Sequence, residues 1–157
     1  MGHSYSVPYS NIYMADWELG ALIKSILLPV FFKRFIDDII LFWAHGFAKF
    51  IKFFSLLDNH DPCIKLTFTY NLNSIDFLDI TIYKGLQFQL SGLLDTRVYF
   101  KPTDSHELLH TESHHPRHIF SGIIKSQVTR FSRICNNYYD FDLACNCLLY
   151  TSPSPRD

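Results

Sequence analysis

No apolar stretch in this chain approaches the roughly 20 residues that a membrane-spanning helix needs. The run from Ile26 across Pro29 to Phe32 is flanked by Lys24 and Lys33. No basic segment followed by an apolar run opens the sequence, so no signal peptide is read. A nuclear or cytoplasmic, non-secreted protein is the expectation. Charged residues are sparse at 18%, against 48% hydrophobic, which excludes disorder over most of the 157 residues. Cysteine is too thinly placed for a disulfide framework: Cys63, Cys135, Cys145 and Cys147 are expected to be buried reduced thiols. There is no internal repeat. What abounds is aromatic, with 15 Phe and 9 Tyr, which implies a core or groove built from rings.

The net charge of −1 hides an asymmetry. Residues 1–96 carry 7 Lys/Arg against 9 Asp/Glu. Residues 97–133 carry 6 Lys/Arg against 3 Asp/Glu, and five of the eight His. A locally basic stretch suits a surface that holds a polyanion. An ordinary solvated face is the alternative.

Tyr9 to about Ser25 reads as a helix after Pro8, with Ile12, Leu19 and Ile23 on one side. Val30–Ile36 and Ile39–Trp43 read as strands around Asp37-Asp38, a hairpin whose tight turn is the two acids. Phe47, Phe50, Ile51, Phe54 and Leu57 recur at helical spacing, ending near Asn59. Ile64–Tyr70 alternates like a half-buried strand. Asn71–Ser74 reads as a turn and Ile75–Tyr83 as the hairpin partner, with further strands at Leu86–Leu90 and Thr96–Phe100. From Pro116 a helix is expected, with Phe120, Ile123, Ile124, Val128, Phe131 and Ile134 on one face and Lys125, Thr129, Arg130 and Arg133 on the other. The order is α+β rather than a βαβ repeat.

The double aspartate is the strongest chemical signal. Adjacent carboxylates repel, and a hard cation removes that penalty. Mg²⁺ prefers a few carboxylates with water and substrate phosphates. Two such ions about 4 Å apart can drive an in-line phosphoryl transfer. An ordinary acidic hairpin turn is the plain alternative. Phe35, Phe42 and Trp43 read as core rather than base-stacking platforms.

Lys33–Trp43, KRFIDDIILFW, resembles the active-site segment of reverse transcriptases of the Penelope-like retroelements. Met1–Glu18 resembles the family block that precedes it, although Tyr5-Ser6-Val7-Pro8 departs from the usual pattern. Ile64–Ile82 resembles the sheet segment that follows. Val98–Cys135 resembles the region after the palm, a thumb-like or helix-turn-helix segment. The resemblance implies a partial polymerase palm over residues 1–100, an antiparallel sheet with packed helices. It implies a helical thumb-like or helix-turn-helix segment over 101–146. Asp37 and Asp38 match the catalytic, Mg²⁺-binding pair of a two-metal site. Gly2, Ser10 and Asn11 match the block that backs the nucleotide and template. RNA template and DNA primer are the implied partners of the intact parent. A third metal-binding Asp is expected upstream of the opening block. The chain is therefore read as a truncated piece that does not itself extend a primer. Asp79 reads as a structural strand residue rather than that third ligand.

Cys147–Asp157, CLLYTSPSPRD, lacks periodicity and coincides with the translation of a transposase sequencing adapter. Residues 147–157 are expected to be adapter-derived, so Cys145-Asn146-Cys147 is not read as a metal motif. His106 with His110, and His114 with His118, have the spacing for a shared Zn²⁺ on a helix. Pro116 interrupts the second pair, and no Cys lies nearby in sequence. The preferred reading has the histidines with Arg117, Lys125, Arg130 and Arg133 contacting nucleic-acid backbone, as the resemblance implies, and solvated surface histidines are the alternative. A non-catalytic nucleic-acid-binding module, a relic open reading frame, or an interaction scaffold are the competing readings.

Overall fold

The computed structural model describes residues 5–102 and 114–151, which form two compact units meeting between Thr69 and Tyr70. The architecture is mixed α+β with antiparallel sheets only. Gly2, His106 and His110 lie outside the described residues.

The first unit holds α1 (Ser6–Ile23), the hairpin β1 (Phe31–Phe35) and β2 (Asp38–Phe42), and α2 (Phe47–Asp58). Pro8 sits inside the first turn of α1 rather than before it, where its missing N–H would have had no helical partner anyway. The buried face of α1 is Trp17 and Ala21, with Met14 and Leu22 beside them. Ile12, Leu19 and Ile23, read as sharing one side of the helix, are exposed. Two apolar stripes satisfy the helical period, and contact with α2 selects the one carrying Trp17. From α2 come Phe50, Phe53 and Leu57, while Phe47 and Ile51 stay largely exposed. Trp43 stacks on Phe53 at 4.9 Å between ring centroids and meets Phe50 edge-on at 6.0 Å. Its placement as core holds, and Phe42 stacks on Phe31 at 5.1 Å. Phe35 does not join the core and is exposed.

Ile64–Tyr70 is not a strand. Ile64 and Leu66 do turn inward onto the first core, and the Phe68 ring meets Phe54 at 4.6 Å. Its alternation thus reports a half-buried extended segment. The Leu66 amide is satisfied by the Asp58 carboxylate at 2.8 Å instead of a neighbouring strand. Gly20 admits this unit's close packing, since a Cβ there would stand 2.9 Å from the His60 ring.

The second unit contains β3 (Ser74–Phe77), β4 (Ile80–Tyr83), the helical turn α3 (Phe88–Ser91), β5 (Asp95–Val98), α4 (Arg117–Ile134) and α5 (Tyr138–Thr151). Strand order is β3-β4-β5. Ile75–Tyr83, expected as one strand, is itself a hairpin with Phe77 paired to Ile80. The expected strand at Leu86–Leu90 is replaced by α3. Val98, Phe131, Ala144 and Leu148 form the buried centre of the unit, Phe131 being only 2% exposed. Of the apolar face read for α4, Val128, Phe131 and Ile134 pack inward and Ile124 is exposed. α5 continues through Cys147 to Thr151, so the start of the expected adapter segment is helical, with Leu148 in the core. Burial of the thiols is partial: Cys63 is exposed, and Cys135 and Cys145 are half-buried.

Candidate functional site

The β1–β2 register pairs Phe35 with Asp38, so the tight turn is Ile36-Asp37 and not the two acids. Asp38 is the first residue of β2. Both carboxylates are exposed at the hairpin tip. Ile36 adopts φ +54°, a conformation that a β-branched residue reaches only under strain.

Arg34 holds that tip. Its Nη1 donates to the Ile36 carbonyl at 2.7 Å and to Asn11 Oδ1 at 3.3 Å. Its Nε donates to Glu18 Oε1 in an ion pair. The Arg34 and Glu18 side chains are only 11% and 22% exposed. One guanidinium thus ties the strained turn to α1, using the several donors of its planar fork. It also brings Asn11 towards the carboxylate hairpin. Ser10 lies exposed on α1. Arg34 and Glu18 were legible only as members of their sequence blocks; nothing local paired them.

Asp37 and Asp38 suit a Mg²⁺ ion, which takes one or two carboxylates and fills its shell with water and phosphate oxygens. No group of three His, Cys, Asp or Glu side chains converges among the described residues.

The second unit gathers a different set. Lys125, Arg130 and Arg133, with Ser126, Thr129, Gly122 and Ile134, line an open groove of about 590 Å³ along α4. Three of the four residues read as backbone contacts thus share one surface. Arg117 begins α4, and its side chain lies outside the described residues. The remaining wall is Asp79, which pairs with Arg130 Nη2 at 2.6 Å. Asp79 is not a strand residue. It occupies the β3–β4 turn beside Leu78, whose φ is +57°. The two hairpins therefore have matching tips, Phe-Ile-Asp and Phe-Leu-Asp, each with an aliphatic residue at positive φ.

The α4–α5 connection is the short turn Cys135-Asn136-Asn137, stitched to the sheet. Asn136 Nδ2 donates to the buried Asp95 at 2.9 Å, and Asn136 Oδ1 accepts from the Thr96 amide at 2.9 Å. Asn137 caps α5 by accepting from the Asp140 amide at 2.8 Å. The Asp140 side chain accepts from Asn137 Nδ2 at 2.7 Å and from the Tyr83 hydroxyl. Burial, reinforced by that carboxylate, pushes the Tyr83 hydroxyl up to about 12.

In the second unit α4 and α5 are joined by a three-residue turn, and Lys125, Arg130 and Arg133 line the open side of the first. Residues 108–148 match the family model of the animal helix-turn-helix domain. No curated protein and no solved structure matches the chain. No helix among the described residues is long and apolar enough to cross a membrane.

Proposed function

We propose that the C-terminal unit is a nucleic-acid-binding module that grips phosphate backbone along α4. The observation that carries this reading is the convergence of Lys125, Arg130 and Arg133 on one groove of a helix-turn-helix. Cations that neutralise phosphates release condensed counterions, so affinity falls with salt in proportion to the contacts made. The test is fluorescence anisotropy with a labelled DNA duplex across a salt series. Lys125→Gln and Arg133→Gln should each weaken binding whatever the sequence and flatten the log–log salt slope by about 0.9. Unchanged binding in both variants would overturn the reading.

The first unit supports a companion reading, that the chain is a piece of a reverse transcriptase, an RNA-directed DNA polymerase. What favours it is the acidic tip of β1–β2, held by Arg34 against the helix that contributes Asn11 and Glu18. In the intact parent, Asp37 and Asp38 would hold Mg²⁺ in a palm and Asn11 would back the nucleotide. The metal would supply charge neutralisation at phosphate and activation of the attacking hydroxyl. Mn²⁺ titration followed by NMR checks the local part. Amide signals from Ile36 to Ile39 should broaden first, and should stop doing so in Asp37→Asn/Asp38→Asn. Uniform broadening over all acidic surfaces would count against a metal site here.

A further inference from the structure

We propose that Asp79 acts as a built-in competitor of nucleic-acid phosphate at Arg130, so that binding requires the guanidinium to exchange one anion for another. This rests on the nucleic-acid reading of the α4 groove.

The groove is lined by three cations and a single carboxylate. Asp79 comes from a different element, the tip of β3–β4, and is held at the rim by its backbone, whose carbonyl accepts the Tyr99 amide at 2.8 Å. The ion pair is one-pronged, Arg130 Nη2 to Asp79 Oδ2, while Nη1 leans on Gln127 Oε1 at 3.3 Å. The Arg130 and Asp79 side chains are 41% and 54% exposed. A solvated, one-pronged pair adds little to stability, so structural support is a poor account of it. Its position has a functional consequence. A phosphodiester oxygen and the Asp79 carboxylate seek the same donor, and the two anions repel. Among the described residues no carboxylate pairs with Lys125 or Arg133. Asp79 therefore lowers affinity without touching selectivity, which keeps the groove from holding any polyanion too firmly.

The test uses the full chain and a fluorescein-labelled DNA duplex. Asp79→Asn keeps the shape of the turn residue and removes its charge. The expected result is an affinity gain of up to about fivefold, the upper worth of an exposed ion pair that binding no longer has to break. The salt slope should steepen by about 0.9, because Arg130 then neutralises a phosphate that it previously could not fully serve. In an Arg130→Gln background the same substitution should gain much less. A structural role for Asp79 predicts the opposite sign, with weaker binding and a lower Tm. If Lys125→Gln and Arg133→Gln weaken binding but Asp79→Asn does not strengthen it, the competitor role is wrong and the groove reading stands. If none of these substitutions changes binding, the groove reading itself falls. A wild-type measurement stands beside the variants. The ¹³C signal of the Asp79 carboxyl should move on duplex titration with the same midpoint as binding. A stationary signal during saturable binding would overturn the exchange.

Discussion

Asn136 donates its side-chain amide to the buried Asp95 carboxylate at 2.9 Å, which fastens the α4–α5 turn to the edge strand β5. Asn136→Ala leaves that carboxylate without its amide donor inside the unit. The expected loss is about 1–3 kcal/mol of stability, the cost of stranding a buried polar group. Urea unfolding monitored by circular dichroism would measure it.

Gly85 presses on the same carboxylate. A Cβ at that position would lie 1.6 Å from Asp95 Oδ2. Asp95 cannot retreat without giving up Asn136, so Gly85→Ala should destabilise the second unit by about 1–3 kcal/mol, as overpacking does. Combined with Asn136→Ala the two costs should sum to less than their separate values, because they share Asp95. Strict additivity in the double variant would argue against this coupling.

Tyr83 gives a pH signature. Its hydroxyl is raised from 10 to about 12, by burial first and then by its bond to Asp140. A group raised in the folded state contributes stability that is complete below its unfolded value and disappears as pH climbs through its folded one. The second unit should therefore lose stability between about pH 10 and pH 12. Tyr83→Phe should make that loss shallower. Tyrosinate absorbance and thermal melts over this range would follow both effects.

Arg34 should matter more than its place on a hairpin suggests. Arg34→Ala removes the partner of a mostly buried Glu18 and the donor to the strained Ile36 carbonyl. A loss of about 1–3 kcal/mol is expected. Arg34→Lys should recover little of it, because a single ammonium cannot reach Glu18, Ile36 and Asn11 together. Thermal denaturation followed by Trp fluorescence would report the first unit through Trp17 and Trp43. A lysine variant as stable as wild type would show that the forked geometry is dispensable.

The α4–α5 pair should not stand alone. Phe131 packs against Val98 and meets Phe100 edge-on at 5.9 Å, and both lie outside the two helices. A peptide covering residues 114–151 should lose most of the helicity that the same residues have in the full chain. Retained cooperative melting of that peptide would contradict this.

Several features were legible because they are local. The helix at Phe47–Asp58 follows from aromatic spacing, and the strands about the aspartates follow from β-formers on either side. The turn itself was misplaced by one residue. Asp37-Asp38 is the more polar pair, but the carbonyl-to-guanidinium contact at Arg34 stabilises Ile36 in a conformation its sequence does not advertise. Ile64–Tyr70 misled for a related reason. Alternation reports which side of an extended segment is buried, and it is silent about whether a strand lies alongside. Hairpin formation within Ser74–Tyr83 was hidden because Leu78-Asp79 lacks the Gly or Asn that usually marks so tight a turn.

Composition and period alone determined that this chain has a ring-rich core, that no helix among the described residues is long and apolar enough to cross a membrane, and that Lys125, Arg130 and Arg133 sit on the polar side of one helix. These properties depend on residues a few positions apart, whose geometry the helix and strand repeats impose. The tertiary structure decided which stripe of α1 is buried, that Arg34 joins Glu18 and Asn11, and that a carboxylate stands among the cations of α4. Asp79 and Arg130 are 51 positions apart. Such a pair leaves no periodic trace, because only the packing of a hairpin tip against a helix brings the two charges within reach.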